Sequence, residues 1–484
     1  MQDYLINLCT EPDKSWSFVS IPFAVVFVLF FILYIFIRPS SKTMMLSYTV
    51  AFSLFFAYKA NGALMLLLPA TVVVSYYLTR LMNEREGRER TWWMWLTVVI
   101  DLLPLVYYKY TNFLLQTFNE ILSSNFAPLS IILPVGISFY TFQAISYTVD
   151  VYKGRFTTEV SLLEYFFYLT FFPLLIAGPI TRAETLIPQI KHRYHIDDRM
   201  VYTGLWLIMS GLVKKALIAD YIAQYNNWIF DDPTAYSGFE CLMGSLGYTL
   251  QIYCDFSGYS DISIGIASLL GITLKENFNY PYQSLNVQEF WRRWHISLST
   301  WFRDYVYIPL GGNRKGKRRT YLNNFITMLV AGLWHGASWM FVIWGALHGI
   351  VLVIHKWCKP WLDRIPNKWY VRVVSFVLTF AFINVAWIFF RAHDTQTAFA
   401  MMRTIASDFS IDYLIPFVET RTSWVVFVVL GFALHGMRKR HVDRLKQLYI
   451  DSPYTLKLIL LFIVLQFVIN FRQSDIQPFI YAQF

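Results

Sequence analysis

Apolar runs of about fifteen to twenty residues recur along the whole chain, near 18–37, 43–58, 62–79, 91–108, 129–148, 160–178 and 201–222, and again between 240 and 470. Such a chain cannot hide its apolar surface in one water-soluble core. Inside a bilayer every backbone polar group must be answered within a helix or a closed barrel, and runs this long without strict alternation read as helices. Composition agrees: 56% of residues are hydrophobic and 15% charged, against about a quarter charged in soluble domains. The expected fold is therefore an all-α polytopic integral membrane protein. Several runs fall short of the roughly 20 residues a full span needs, which predicts about eleven spans plus re-entrant or half-buried pieces.

The 41 basic residues outnumber the 31 acidic ones. They gather in short loops between apolar runs, as the positive-inside rule describes, so the surplus does not point to nucleic acid. Arg38 and Lys42, then Arg80, Arg85, Arg88 and Arg90, and finally the group from Arg438 to Lys446 mark one face; taken as cytoplasmic, they put the N-terminus outside. The first residues carry Asp3, Glu11 and Asp13 against Lys14 rather than a basic leader, so the first apolar run is expected to stay in the mature protein. Cys9, Cys241, Cys254 and Cys358 show neither a disulfide framework nor zinc spacing, and no metal site is expected. Trp92, Trp93 and Trp95 read as an interfacial belt. No repeat or composition break divides the chain, which is expected to form a single membrane domain over 1–484.

Polar residues within this apolar background carry the functional information. His192 and His195 lie in a Pro-broken polar stretch and read as solvated loop residues. Lys214 and Lys215 interrupt an apolar run and could snorkel to the interface. Asp255 and Asp261 need donors or cations, and Gly258 between them offers a helix break that would expose backbone N–H groups. Anchoring of a broken helix and a functional role both fit them.

Residues 277–320 are too polar to span, and Asn286 followed by Glu289 resembles a capping box. The bulky apolar residues at 291, 294, 298, 301, 302 and 305 predict an amphipathic helix that carries His295. A basic, glycine-containing loop, GGNRKGKRR, follows, and then an apolar run that ends on LWHG and His335. An imidazole in such a run is costly without a partner or cavity. It is also the side chain best suited to proton transfer near neutral pH. Packing histidines remain the competing reading.

Together with these two histidines, the segments SFYTFQAISYTVDVY, FFPLLIAGPITRAETLIPQ, GLVKKALIAD and QIYCDFSGYSDISIGIASLLGI, in this order, resemble the membrane-bound O-acyltransferase (MBOAT) family over residues 138–349. The resemblance implies a helical bundle with re-entrant and amphipathic helices around a central tunnel. It implies that His335, in LWHG, is catalytic, as a base or as the carrier of the acyl group, and that His295, in WRRWH, is a second functional site. Arg292, Arg293, Arg303, Arg314 and Lys315 would meet the phosphates of a coenzyme A thioester, acetyl-CoA by expectation, with no bound cofactor; lipid headgroups are the competing partner for each. Asp255, Asp261, Trp334, Gly332 and Gly336 would line or support the tunnel. FIYAQF and GLVKKALIAD are similar to the alginate-acetylating members. That likeness implies acetyl transfer across a bacterial inner membrane to an exported polysaccharide, through an extracytoplasmic SGNH-type acetyltransferase. D-alanyl transfer to teichoic acid, acylation of a lipid or protein, a transporter and a non-catalytic scaffold are the alternatives.

Overall fold

The computed structural model describes residues 16–191 and 196–471. The N-terminal acidic residues, Cys9, His192, His195 and FIYAQF lie outside these. No strand occurs among the described residues, and helices account for nearly all regular structure. Six helical stretches there are long and apolar enough to cross a membrane: Lys42–Asn83, Gly87–Leu122, Asp198–Asp231, Trp339–Leu362, Trp369–Arg391 and Tyr454–Phe471. Ile411–Thr420 and Thr422–Gly436, bent by 103°, add a seventh if the pair is one span. This is fewer than the eleven expected. Some apolar runs fold instead as helices too short to span, such as Ile21–Ile37 with 17 residues and Leu162–Thr170 with nine.

The chain divides into two compact units. One comprises Met1–Gly204 with Ser263–Lys275, the other Leu205–Ile262 with Glu276–Phe484. In the first, α1 (Ile21–Ile37) and α2 (Lys42–Asn61) pack through aromatic rings that converge on Phe172. Phe30 stacks on Phe52 at 4.1 Å, and Phe52 meets Phe172 edge-on at 4.9 Å. A capping box starts α3 (Leu162–Thr170): Ser161 Oγ accepts from the Glu164 N–H while Glu164 reaches back to the Ser161 N–H. Lys42 and Lys191 close on the same carboxylate at 2.7 and 3.0 Å. Burial alone would raise the pKa of Glu164, but these two ammonium groups and the Ser161 N–H hold it down at about 2. Trp92 and Trp95 are well exposed, as an interfacial belt requires.

The second unit holds every candidate site residue. Its scaffold is α4 (Gly238–Leu269, up to Ile262), α5 (Val287–Arg293), α6 (Ile296–Phe302), α7 (Gly316–His335), α8 (Trp339–Leu362) and α9 (Trp369–Arg391). Helices α7 and α8 approach closely at glycines. A Cβ on Gly345 would lie 2.6 Å from the Met328 carbonyl oxygen and 3.3 Å from Gly332 Cα, and one on Gly349 would lie 2.8 Å from the Phe325 ring. Gly258 does not break α4, contrary to expectation. It lets α4 lie against the backbone of Gly211 and Lys215, where a Cβ would sit 2.8 Å from both the Gly211 oxygen and the Lys215 nitrogen.

Candidate functional site

The capping residue Asn286 does start α5, accepting from the Glu289 N–H at 2.8 Å. The predicted single helix through His295 is not formed. It stops at Arg293, Trp294 is extended, and His295 takes left-handed angles of φ 43° and ψ 56° before α6 resumes at Ile296. The break is held from a distance in sequence. Asn279 N–H donates to the Arg293 carbonyl and Ile296 N–H to the Asn277 carbonyl, both at 2.9 Å. A left-handed non-glycine residue is strained, and such strain gathers where a side chain must be aimed.

His295 is fully buried. Its ring meets Phe256 edge-on at 4.6 Å, and its Nδ1 lies 3.3 Å from Asn277 Oδ1. That oxygen already accepts from the Ser297 N–H at 3.1 Å and the Ser297 hydroxyl at 2.9 Å, so it is an acceptor and Nδ1 carries the proton. In this tautomer the acceptor lone pair is on Nε2. Burial pushes the pKa of His295 down to about 3, so the ring is neutral at physiological pH.

His335 closes α7 and is 2% exposed. Rings enclose it: Trp334 at 5.1 Å, Trp344 at 5.0 Å and Phe390 at 5.5 Å. Trp334 also lies 6.2 Å from His295. The two histidines of LWHG and WRRWH, forty residues apart, thus share one indole.

The remaining candidates separate from this pair. Arg292 is exposed on α5. Arg293 binds Glu289 at 2.7 Å, and Arg303 binds Asp304 at 2.8 Å. Arg314 and Lys315 are exposed in a loop turned by Gly311, Gly312 and Gly316, all with positive φ. Asn323 in α7 anchors that loop by donating to the Gly312 carbonyl at 2.9 Å. Gly332 and Gly336 serve close packing: a Cβ on Gly332 would run into the Phe341 carbonyl, and one on Gly336 into the Phe341 ring. Bulky residues there would therefore disturb helix packing as well as any passage.

Asp255 and Asp261 find cations, not helix-break amides. The Lys215 ammonium, 1% exposed, binds Asp255 and Asp220, the latter at 2.7 Å, and Lys214 binds Asp261 at 2.5 Å. The two lysines do not snorkel, because a buried carboxylate is a better partner within reach than a distant interface. Sequence reasoning also missed Asn277, Trp344 and His348. His348 is fully buried, and the one signal for it was its place four residues after Trp344 on an apolar helix.

Residues 153–393 match the MBOAT, membrane-bound O-acyltransferase family. A protein of Azotobacter vinelandii named "Probable alginate O-acetylase" is 40% identical over 78% of this chain and 77% of its own length. The peptidoglycan O-acetyltransferase of Helicobacter pylori is 37% identical over 72% of each chain. More distantly, the teichoic acid D-alanyltransferase of Bacillus subtilis is 28% identical over 59% of this chain and 74% of its own.

Proposed function

The chain belongs to the membrane-bound O-acyltransferase family, and from that premise we propose that it moves an acetyl group from cytoplasmic acetyl-CoA across a bacterial inner membrane for O-acetylation of an exported polysaccharide. An extracytoplasmic SGNH-type acetyltransferase would complete the transfer. His335 is the base at the acyl carbonyl. The acceptor oxygen bonds to the carbonyl carbon, its proton passes to the imidazole, the carbon–sulfur bond breaks, and the proton leaves with the thiol. His295, whose Nδ1–H is held by Asn277 and whose ring lies on the other side of Trp334, accepts or relays a proton.

The observation that supports this most is the pair of buried imidazoles on one indole, within the family-matched region. Arg292, Arg293, Arg303, Arg314 and Lys315 take the phosphates of the donor on the cytoplasmic face, with the N-terminus outside. Aromatic enclosure supplies the exclusion of water that a thioester requires. Asp255 and Asp261, through their lysines, hold the helices that carry the enclosure.

Proteoliposomes of one orientation, supplied with acetyl-CoA on one face only, test the reading. Wild type should acetylate an acceptor on the opposite face, and His335→Ala should lose about 10²–10⁴-fold while staying folded in the membrane. Full activity of His335→Ala would refute the assignment. D-alanyl transfer from a thioester in the same assay would identify the teichoic acid type of reaction, and passage of an intact small molecule a transporter.

A further inference from the structure

Trp344 and His348 stand four residues apart on α8, and neither is exposed to solvent. The Trp344 ring is 5.0 Å from His335 and 4.7 Å from His348, both edge-on, so it joins the two histidines as Trp334 joins His335 to His295. On its other side His348 meets Trp291, whose Nε1–H donates to His348 Nδ1 at 3.3 Å. That donation occupies the Nδ1 lone pair, so the neutral imidazole carries its proton on Nε2. The tautomer is opposite to that of His295.

The Nε2–H of His348 has no hydrogen-bond partner among the described residues, and neither has the indole N–H of Trp344. A fully buried donor left unanswered is costly, and a guest that supplies the acceptor is one way such a group is satisfied. Two of them one helical turn apart, beside the proposed base, amount to a lining that offers donors. The other rings around His348, Phe290 at 6.4 Å and Phe382 at 5.1 Å, add apolar walls and no charge. Donors without charge fit a neutral oxygen acceptor better than a phosphate.

We propose that Trp344 and His348 form a substrate subsite beside His335 that takes a carbonyl oxygen of the acyl thioester donor, with Trp291 holding the tautomer that makes His348 a donor. The proposal rests on the reading of His335 as the acyl-transfer centre. A thioester donor carries carbonyl oxygens on its acyl group and along its amide-bearing arm, and an aromatic enclosure with fixed N–H groups would select for such a chain over a charged one.

The test uses full-length protein in proteoliposomes with acetyl-CoA, comparing wild type, His348→Leu, His348→Gln, Trp344→Phe and His335→Ala by kcat, KM and thermal stability. His348→Leu and Trp344→Phe should each lower kcat/KM about 3- to 10-fold, chiefly through KM, as loss of one neutral hydrogen bond to a ligand predicts. Melting temperature should hold or rise in Trp344→Phe, which removes an unanswered buried donor, and should change little in His348→Leu, where that gain is offset by loss of the acceptor of Trp291 Nε1–H. His348→Gln, whose amide can donate where Nε2–H did, should recover part of the loss. Unchanged kcat/KM in both His348→Leu and Trp344→Phe, with His335→Ala inactive, overturns the subsite alone. A loss that tracks a lower melting temperature and is not recovered by glutamine also overturns it, since that pattern is packing. If His348→Leu does not fold, Trp344→Phe, which keeps an aromatic ring, decides by itself. Activity in His335→Ala would instead bring down the functional reading on which the subsite depends.

Discussion

Two polar regions of the second unit answer burial in opposite ways. Around Lys214 and Lys215 every charge meets its opposite: Asp220 and Asp255 on one ammonium, Asp261 on the other. Around His335 stand aromatic rings, and N–H donors on Trp344 and His348 are left over. A buried ion must be paired at once or it is not tolerated, whereas a neutral donor can be kept for a guest at a smaller cost than an unpaired ion. The first region is built to hold and the second to receive. Substitutions should therefore hit stability in one and turnover in the other.

The largest stability effect is expected at Lys215. Lys215→Met leaves two carboxylates, Asp255 and Asp220, facing each other without their cation, which should cost about 3–5 kcal/mol. Detergent-solubilised protein would show it as a sharp fall in melting temperature or loss of the monodisperse peak. A stable, inactive Lys215→Met would reverse the comparison and move this cluster into the chemistry. Next comes the seam between α7 and α8: Gly345→Val pushes a side chain into the Met328 carbonyl, costing about 1–3 kcal/mol. His335 should be misplaced with it, so stability and kcat should fall together.

How legible the two regions were in the sequence follows from the range of the forces that build them. His295 and His335 stood out because each interrupts an apolar pattern, His295 directly after the Arg292–Trp294 segment with its two arginines and His335 inside an apolar run, a local signal in both cases. The break at His295 did not, because the periodicity through 305 is helical and the chain is turned by Asn277 and Asn279, sixteen to eighteen residues away. Asp255 and Asp261 were visible as costly carboxylates, but their partners were misjudged. Gly258 looked like a local break, whereas its missing side chain admits the neighbouring helix whose lysines do the pairing. His348 was hidden in LHGIVLVIH, where nothing local separates a poised donor from a packing residue.

A smaller effect sharpens the same contrast within the charged cluster. Lys214 and Asp261 keep about a quarter and a fifth of their side-chain surface, unlike Lys215. Lys214→Met should cost about 1–2 kcal/mol, between an exposed pair and a buried one. A cost equal to that of Lys215→Met would mean that exposure does not grade these pairs.

The finest measurement is of protons. The pKa of His295 is held down at about 3 by burial, against an ordinary value of about 6.5 once unfolded. Between those values the unfolded chain binds a proton that the folded chain refuses, so stability rises with pH across the window and declines as pH falls from about 6.5 toward 3. Above about 6.5 neither state is protonated at this residue, and the slope from it vanishes. His295→Asn keeps a residue that tolerates left-handed angles and removes the titration. The variant should therefore lose one proton's share of the acid slope, with little change in stability above neutral pH. Glu164 in the first unit gives the companion case. Its pKa, about 2, lies below the ordinary carboxylate range, so the stability it contributes is present above about 4.5 and is lost as pH falls toward 2. Glu164→Gln should change the slope only in that lower window, with the two windows overlapping between about 3 and 4.5. An acid slope in His295→Asn identical to wild type between 4.5 and 6.5 would mean that His295 is reached by water.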